Sequence, residues 1–197
     1  RQWKVLGPFS TTGLDDEVLS GYISPEGAIE PGTFSPPVSW QTVNSQTDHL
    51  DFIDVFGSHQ TSKKVVYSHT YVNSPKHLLA FLSLSHTNGG SVWVNGTQVH
   101  SDADMNNENY STTRVPVYLK LGWNRILVKT YTTGENASDG HIEPWTWWSS
   151  LRFVDDDGLP ITLACQSTTP ADMGERLLPP GVWFRDKEDN ISSPPTI

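Results

Sequence analysis

The chain has 197 residues, 22 Asp plus Glu against 13 Lys plus Arg, a formal net charge of -9 and 11% aromatic residues. That length fits one globular domain, or one domain with a tail, and the 18% of charged residues lies below the roughly 25% usual for soluble chains, the opposite of a disordered composition. The acidic balance, without a Lys/Arg cluster, works against nucleic acid and anionic lipid, which both need dense positive charge, and no apolar run reaches the ~20 residues that cross a bilayer.

A single cysteine, Cys165, allows no internal disulfide and no thiolate metal site. Few charges and little Lys, beside many Ser, Thr, Asn and Trp, predict a secreted, extracellular protein. The chain opens at Arg1 without a Met or an apolar leader, so any targeting signal is expected to have been removed or to lie outside it.

Helical periodicity is scarce, whereas short β-branched and aromatic runs recur between turn signals at about ten-residue spacing, which predicts an all-β antiparallel sandwich or barrel. The first strand is expected at 3–9. Residues 11–37 hold Pro25, Gly27, Pro31, Gly32, Pro36 and Pro37 and read as an irregular excursion across the sandwich surface, with one helical turn at 14–19. Further strands are expected at 38–43, 64–72, 77–84, 91–94, 97–100, 113–119, 125–131, 147–154 and 160–164. Pro170, Pro179, Pro180, Pro194 and Pro195 mark the end of the chain. The sandwich domain is therefore placed at 1–167, and 168–197 is read as a Pro-rich strap or interdomain linker.

Asn95-Gly96, between Ser91-Val92-Trp93-Val94 and Thr97-Gln98-Val99, is the strongest hairpin signal. Counting strand directions from it places tight turns at one end of the sandwich, including Leu121-Gly122-Trp123-Asn124 and Asp155-Asp156-Asp157-Gly158. The long connections 57–63, 85–90, 101–112 and 132–144 fall at the other end. Long loops on a rigid scaffold commonly carry function, so that upper end is the candidate site.

The upper loops hold Asp102, Asp104, Asn106, Asn107, Glu108, Asn109 and Tyr110, with Asn88 on one side and Glu135, Asn136, Asp139, His141, Glu143 and Trp145 on the other. Amide and carboxylate groups at fixed positions suit sugar hydroxyls, and carboxylates with backbone carbonyls form the hard oxygen shell of Ca²⁺. The same residues would also serve as solvated loop. In Trp145-Thr146-Trp147-Trp148, alternation puts Trp145 and Trp147 on one face and Trp148 on the other, so a ring is expected near the loop end as a stacking platform. Trp93 and Trp123 read as core or turn residues. The carbohydrate-binding candidates are thus Asn88, Asp102, Asp104, Asn106, Asn107, Tyr110, Glu135, Asn136, Asp139, His141, Trp145 and Trp147.

Asp155-Asp156-Asp157-Gly158 lacks the alternating spacing of an EF-hand and reads as a turn. The seven histidines form no HExxH or HxH pair, so the sequence offers no zinc motif. There is no Gly-x-Ser-x-Gly elbow, P-loop or Gly-x-Gly-x-x-Gly. Two loop carboxylates could in principle run a glycoside hydrolysis, but a small sandwich end seldom forms the deep cleft that shifts a carboxyl pKa, so the chain is not expected to be an enzyme.

Leu78-Leu79-Ala80-Phe81-Leu82-Ser83-Leu84, then Val92-Trp93-Val94-Asn95-Gly96, then the run from Val115-Pro116-Val117 through Leu121-Gly122-Trp123-Asn124 to Leu127-Val128-Lys129, resemble the galactose-binding-like jelly roll. The pattern is similar to carbohydrate-binding modules and sugar-binding accessory domains of secreted glycoside hydrolases, and it covers roughly residues 3–164. The resemblance implies a jelly-roll β-sandwich. Where such domains bind sugar through calcium, the loop before the Val92-Trp93-Val94 strand contributes, and here that loop offers Asn88 but no Asp. It also implies a possible structural Ca²⁺ near a sheet edge, with no cofactor required.

Three readings follow. The first is a non-catalytic carbohydrate-binding module of a larger secreted polysaccharide-active protein. Its partners would be a polysaccharide or oligosaccharide, with neutral or amino sugars favoured by the negative charge, and a neighbouring domain of the same chain. The second is a structural spacer that packs on a catalytic domain and binds no ligand. The third is a hydrolase in its own right.

Overall fold

The computed structural model describes residues 1–32, 34–36, 38–57, 63–102, 113–133 and 147–171. Their elements, in chain order, are β1 (Gln2–Ser10), a 3-10 turn (Glu26–Ala28), β2 (Gln41–Asn44), β3 (His49–Asp51), α1 (Phe52–Phe56), β4 (Lys64–Ser74), β5 (Leu78–His86), β6 (Gly89–Val94), β7 (Thr97–Asp102), β8 (Thr113–Leu119), β9 (Gly122–Thr132), β10 (Trp148–Val154) and β11 (Ala164–Gln166). The larger sheet has the order β2-β1-β4-β9-β6-β7, with β11 pairing β4 past the point where β1 leaves it, and the smaller has the order β3-β10-β5-β8. Every pairing is antiparallel. The all-β antiparallel sandwich read from the sequence is the fold. No helix among the described residues is long and apolar enough to cross a membrane.

Alternation along the strands builds two cores. Facing the smaller sheet, Val66, Val72, Ile126, Val128, Val92 and Val94 pack against Ala80, Leu82, Leu84, Val115, Val117, Leu151 and Phe153. On the opposite face of the larger sheet, Leu6, Val65, Tyr67, Trp93, Leu127 and Tyr131 pack against Leu14, Leu19 and Ile29 from the Gly/Pro-rich excursion. The excursion therefore covers the outer face of the larger sheet, and β4 and β9 are buried on both sides along most of their length.

Polar pins hold the excursion down. Lys129, wholly buried, donates from Nζ to Glu26 Oε1 at 2.7 Å and to the carbonyl of Asp16 at 2.8 Å. The Tyr67 hydroxyl donates to the same Glu26 oxygen at 2.5 Å. One turn further on, Arg125 donates to Glu30 Oε2 at 3.0 Å and to the carbonyl of Gly27 at 2.6 Å.

The Asn95-Gly96 hairpin forms as expected, with positive φ at both residues (52° and 88°) as a primed two-residue turn requires. Asn95 then bonds across to the next turn: its Nδ2 donates to Asn124 Oδ1 at 2.9 Å and its Oδ1 accepts from the Arg125 amide at 3.0 Å. The excursion docks on this hairpin at Gly27, where a Cβ would lie 2.3 Å from the Gly96 carbonyl oxygen. Because that neighbour is backbone, Gly27→Ala is expected to cost about 1–3 kcal/mol in urea denaturation, as overpacked sites do. A variant as stable as the parent would show that the excursion shifts freely on the hairpin.

Several expectations are corrected. Residues 14–19 form turns rather than a helical turn, and the helical geometry lies at Glu26–Ala28. The strand expected at 38–43 begins only at Gln41, and 160–164 contributes an isolated bridge of Pro160 to Val154 before β11 starts at Ala164. The β3-α1 unit is absent from the sequence reading, although Asp51 caps α1 by accepting from the amides of Ile53 and Asp54 and Gly57 closes it at φ 82°. Of the expected strap, 172–197 lies outside the described residues.

Candidate functional site

The register fixes what meets at the upper end. β4 pairs β9 from Lys64↔Thr132 to Ser74↔Gly122, and Gly89 lies opposite Tyr131, so β4 and β6 begin where β9 ends. Ser149 lies opposite His86, which brings the start of β10 to the end of β5. The ends of β5, β7 and β9 thus share one end of the sandwich, and Asp155-Asp156-Asp157-Gly158 lies after β10 as a turn. In that turn the Gly158 amide donates to the Asp155 carbonyl and the Leu159 amide to Asp155 Oδ1 at 2.8 Å.

Between β5 and β6 the chain passes from one sheet to the other in two residues. Thr87 locks the crossing to β10, its amide donating to the Trp148 carbonyl at 3.1 Å and its Oγ1 accepting from the Trp148 amide at 3.1 Å. Asn88 follows at φ 57°, a left-handed conformation that Asn tolerates. It is 8% exposed, so this candidate contact is chiefly a turn residue.

A register shift in β7 decides which side chains face inward. Thr97 and Gln98 lie opposite Val94 and Trp93, whereas His100 lies opposite Val92, leaving Val99 as an extra residue. Such a bulge re-aims the strand. Beyond it, His100 and Asp102 share the face of Val92 and Gly90, toward the sandwich interior, while Ser101 faces out and its hydroxyl bonds to that of Ser91 at 2.9 Å. On the facing sheet His86 keeps the parity of Leu82 and Leu84, which also point inward.

His86, His100 and Asp102 consequently meet across the two sheets, with one ligand atom from each lying within 4.8 Å of the others, all three half-buried. His86 Nδ1 and His100 Nε2 are buried and make no hydrogen bond, as are Thr130 Oγ1, in the row of Gly90 and Asp102, and Trp147 Nε1. Burial holds both imidazoles below the usual histidine pKa, against the opposing pull of the Asp102 carboxylate. The His86 ring rests on Gly90, where a Cβ would lie 2.6 Å from its Cδ2. Two imidazole nitrogens and a carboxylate oxygen form a donor set suited to a borderline divalent metal.

Of the residues read from the sequence, the structure thus brings Asn88 and Asp102 to this end. Trp147, expected in the stacking platform, is wholly buried, its ring 5.4 Å from that of Phe52 and 6.2 Å from that of Phe56. The unforeseen helix α1 draws it into the core. Trp148 instead lies on the outer face against the His49 ring at 5.0 Å. Asp104, Asn106, Asn107, Tyr110, Glu135, Asn136, Asp139, His141 and Trp145 lie outside the described residues. His86 and His100 escape the sequence reading because they lie on separate strands, β5 and β7, and form no local histidine pair. The available signal was His100-Ser101-Asp102, whose period-two spacing on a strand sets two donors on one face.

No protein-family model matches this chain, and no curated protein matches it. Among solved structures it is similar to an anti-sigma factor domain-containing protein from Clostridium clariflavum, at TM-score 0.45 and 10% identity over 71% of this chain and 45% of that one. It is also similar to a β-glucosidase from Kluyveromyces marxianus, at TM-score 0.44 and 12% identity over 78% of this chain and 16% of that one. A β-glucuronidase from Faecalibacterium prausnitzii is similar at TM-score 0.43 and 11% identity over 89% of this chain and 40% of that one. The chain spans less than half the length of each of these three proteins.

Proposed function

We propose that the chain is a non-catalytic carbohydrate-binding module of a larger secreted, polysaccharide-active protein, holding glycan at the loop-bearing end of the sandwich. The observation that carries this reading is the register, which gathers the connections after β5, β7 and β9 at one end. The amide- and carboxylate-rich segments 101–112 and 132–144 belong to those connections. A shallow site at the end of a sandwich would exclude little water, so weak to moderate affinity is expected. Binding of the chain to a panel of neutral and amino-sugar polysaccharides tests it, run with calcium and again with a chelator. Asn107→Ala and Trp145→Ala are each expected to weaken binding by about 1 kcal/mol or more without altering the circular dichroism spectrum. Unchanged affinity in both would remove the site from this end.

A second reading, the structural spacer, has its own observation. The larger sheet is covered by the chain's own excursion, whereas the outer face of the smaller sheet presents Leu79 and Tyr118 as a cross-strand pair, 66% and 51% exposed. The His77 ring stacks on Tyr118 beside them. Silence across the glycan panel, together with tight association of a neighbouring domain that Leu79→Asp abolishes, would favour this reading.

A further inference from the structure

We propose that His86, His100 and Asp102 form a site for one divalent transition-metal ion, Zn²⁺ or an ion of its class, which ties the two sheets together at the loop-bearing end. The proposal does not rest on glycan binding. Its foundation is the convergence of three donors from two sheets, all within 4.8 Å of one another, at a place no local motif marks.

The orphaned nitrogens point the same way. In folded proteins about nine in ten buried polar atoms find a partner, yet His86 Nδ1 and His100 Nε2, on rings from opposite sheets with centroids 6.2 Å apart, are buried with none. Neither nitrogen makes a hydrogen bond to the other or to any other described group. A shared cation satisfies both lone pairs at once.

The donor set selects among ions. Ca²⁺ takes six to eight oxygens and Mg²⁺ an octahedral, largely hydrated oxygen shell. Two imidazoles and one carboxylate suit Zn²⁺ and its neighbours and leave a fourth position open. Zn²⁺ bonds of ~2.0–2.1 Å in tetrahedral geometry set ligand atoms about 3.3 Å apart, so the ligand atoms, within 4.8 Å of one another, must close by up to about 1.5 Å. Rotamer changes supply that, because all three residues sit at or near strand ends and are only partly buried. Two features of the backbone serve the arrangement: the extra residue Val99 turns His100 and Asp102 inward, and Gly90 leaves the His86 ring its place.

The test uses the full chain, freed of metal by chelator, titrated with Zn²⁺, Co²⁺ and Ca²⁺. Zn²⁺ is expected to bind with one equivalent and raise the melting temperature. Co²⁺ should give a visible ligand-field band that Zn²⁺ displaces, and Ca²⁺ should do neither. His86→Ala, His100→Ala and Asp102→Asn should each weaken Zn²⁺ binding at least tenfold, and His77→Ala should leave it unchanged. Gly90→Ala, which touches no metal, should weaken binding by displacing the His86 ring.

Because ligand variants could perturb folding, imidazole ¹⁵N spectra of the unaltered chain supply a second readout. Zn²⁺ should shift His86 Nδ1 and His100 Nε2 and leave the resonances of His69 in place. No Zn²⁺ binding tighter than about millimolar overturns the proposal. So does stoichiometric binding that survives in a folded His86→Ala, His100→Ala double variant, or Zn²⁺ shifts confined to other histidines.

Discussion

Glu26→Ala is expected to destabilise the fold by about 3–5 kcal/mol, because it strands a buried ammonium. Lys129 has no exposed side-chain surface and its only salt-bridge partner among the described residues is Glu26, at 2.7 Å. The same carboxylate accepts the Tyr67 hydroxyl at 2.5 Å, so its removal leaves a second buried donor unpaired. Both groups sit beneath the excursion, and water reaches Lys129 only if the excursion lifts. Urea denaturation measures the loss. Replacing the pair together, Glu26→Leu with Lys129→Met, is expected to recover most of it, since a buried ion pair contributes little net stability over a well-packed apolar pair. A single-variant loss below about 1 kcal/mol would mean that the excursion detaches locally and hydrates the lysine.

Acidification is expected to remove about 3–5 kcal/mol of stability between pH 6.5 and pH 3 through one residue, His69. It is wholly buried on the outer face of β4, with the Tyr71 ring 4.8 Å away and the Trp40 ring 6.1 Å away, and neither ring nitrogen has a hydrogen-bond partner. Desolvation, aided by the nearby Arg125 charge, lowers its pKa to about 3. The unfolded chain takes up this proton near pH 6.5 and the folded chain does not until about pH 3. Between those values the unfolded state binds more protons, so stability falls as pH falls, by at most about 1.4 kcal/mol per pH unit, and the loss is complete below pH 3. Carboxylates such as Asp16, held low by hydrogen bonds from Thr12 and Thr11, act in the same direction at the acid end. The histidine part is therefore read as the difference between denaturation curves of the parent and His69→Leu at pH 7, 5.5 and 4. Parallel curves would show that His69 is protonated in the folded state.

The parts of the fold legible in the sequence are those set by local chemistry. Asn95-Gly96 needs positive φ at both positions, and apolar residues alternate with period two within Val115–Leu119, so the hairpin and its neighbours stand close to where the sequence places them. The excursion's surface location was legible from its Gly and Pro content, but its target face was not. That depends on Glu26 finding Lys129 across 103 positions, a pairing with no local trace. The helix α1 is five residues long, too short to show a periodicity, and its absence from the reading misplaced Trp147. The His86, His100, Asp102 cluster was hidden for a different reason. Its inward aim depends on one extra residue in β7, and a bulge reverses every side chain beyond it without any change in composition.

The excursion also constrains the order in which the molecule can assemble. Its seat is built from Leu6 of β1, Val65 and Tyr67 of β4, Trp93 of β6 and Leu127 and Tyr131 of β9, strands drawn from most of the chain. Until those strands have paired there is no surface to receive Leu14, Leu19 and Ile29, so an early segment of the chain must wait for a late one. Contacts this distant in sequence are slow to form, because loop closure comes before any burial rewards it. The seat stays apolar and solvent-exposed through that interval.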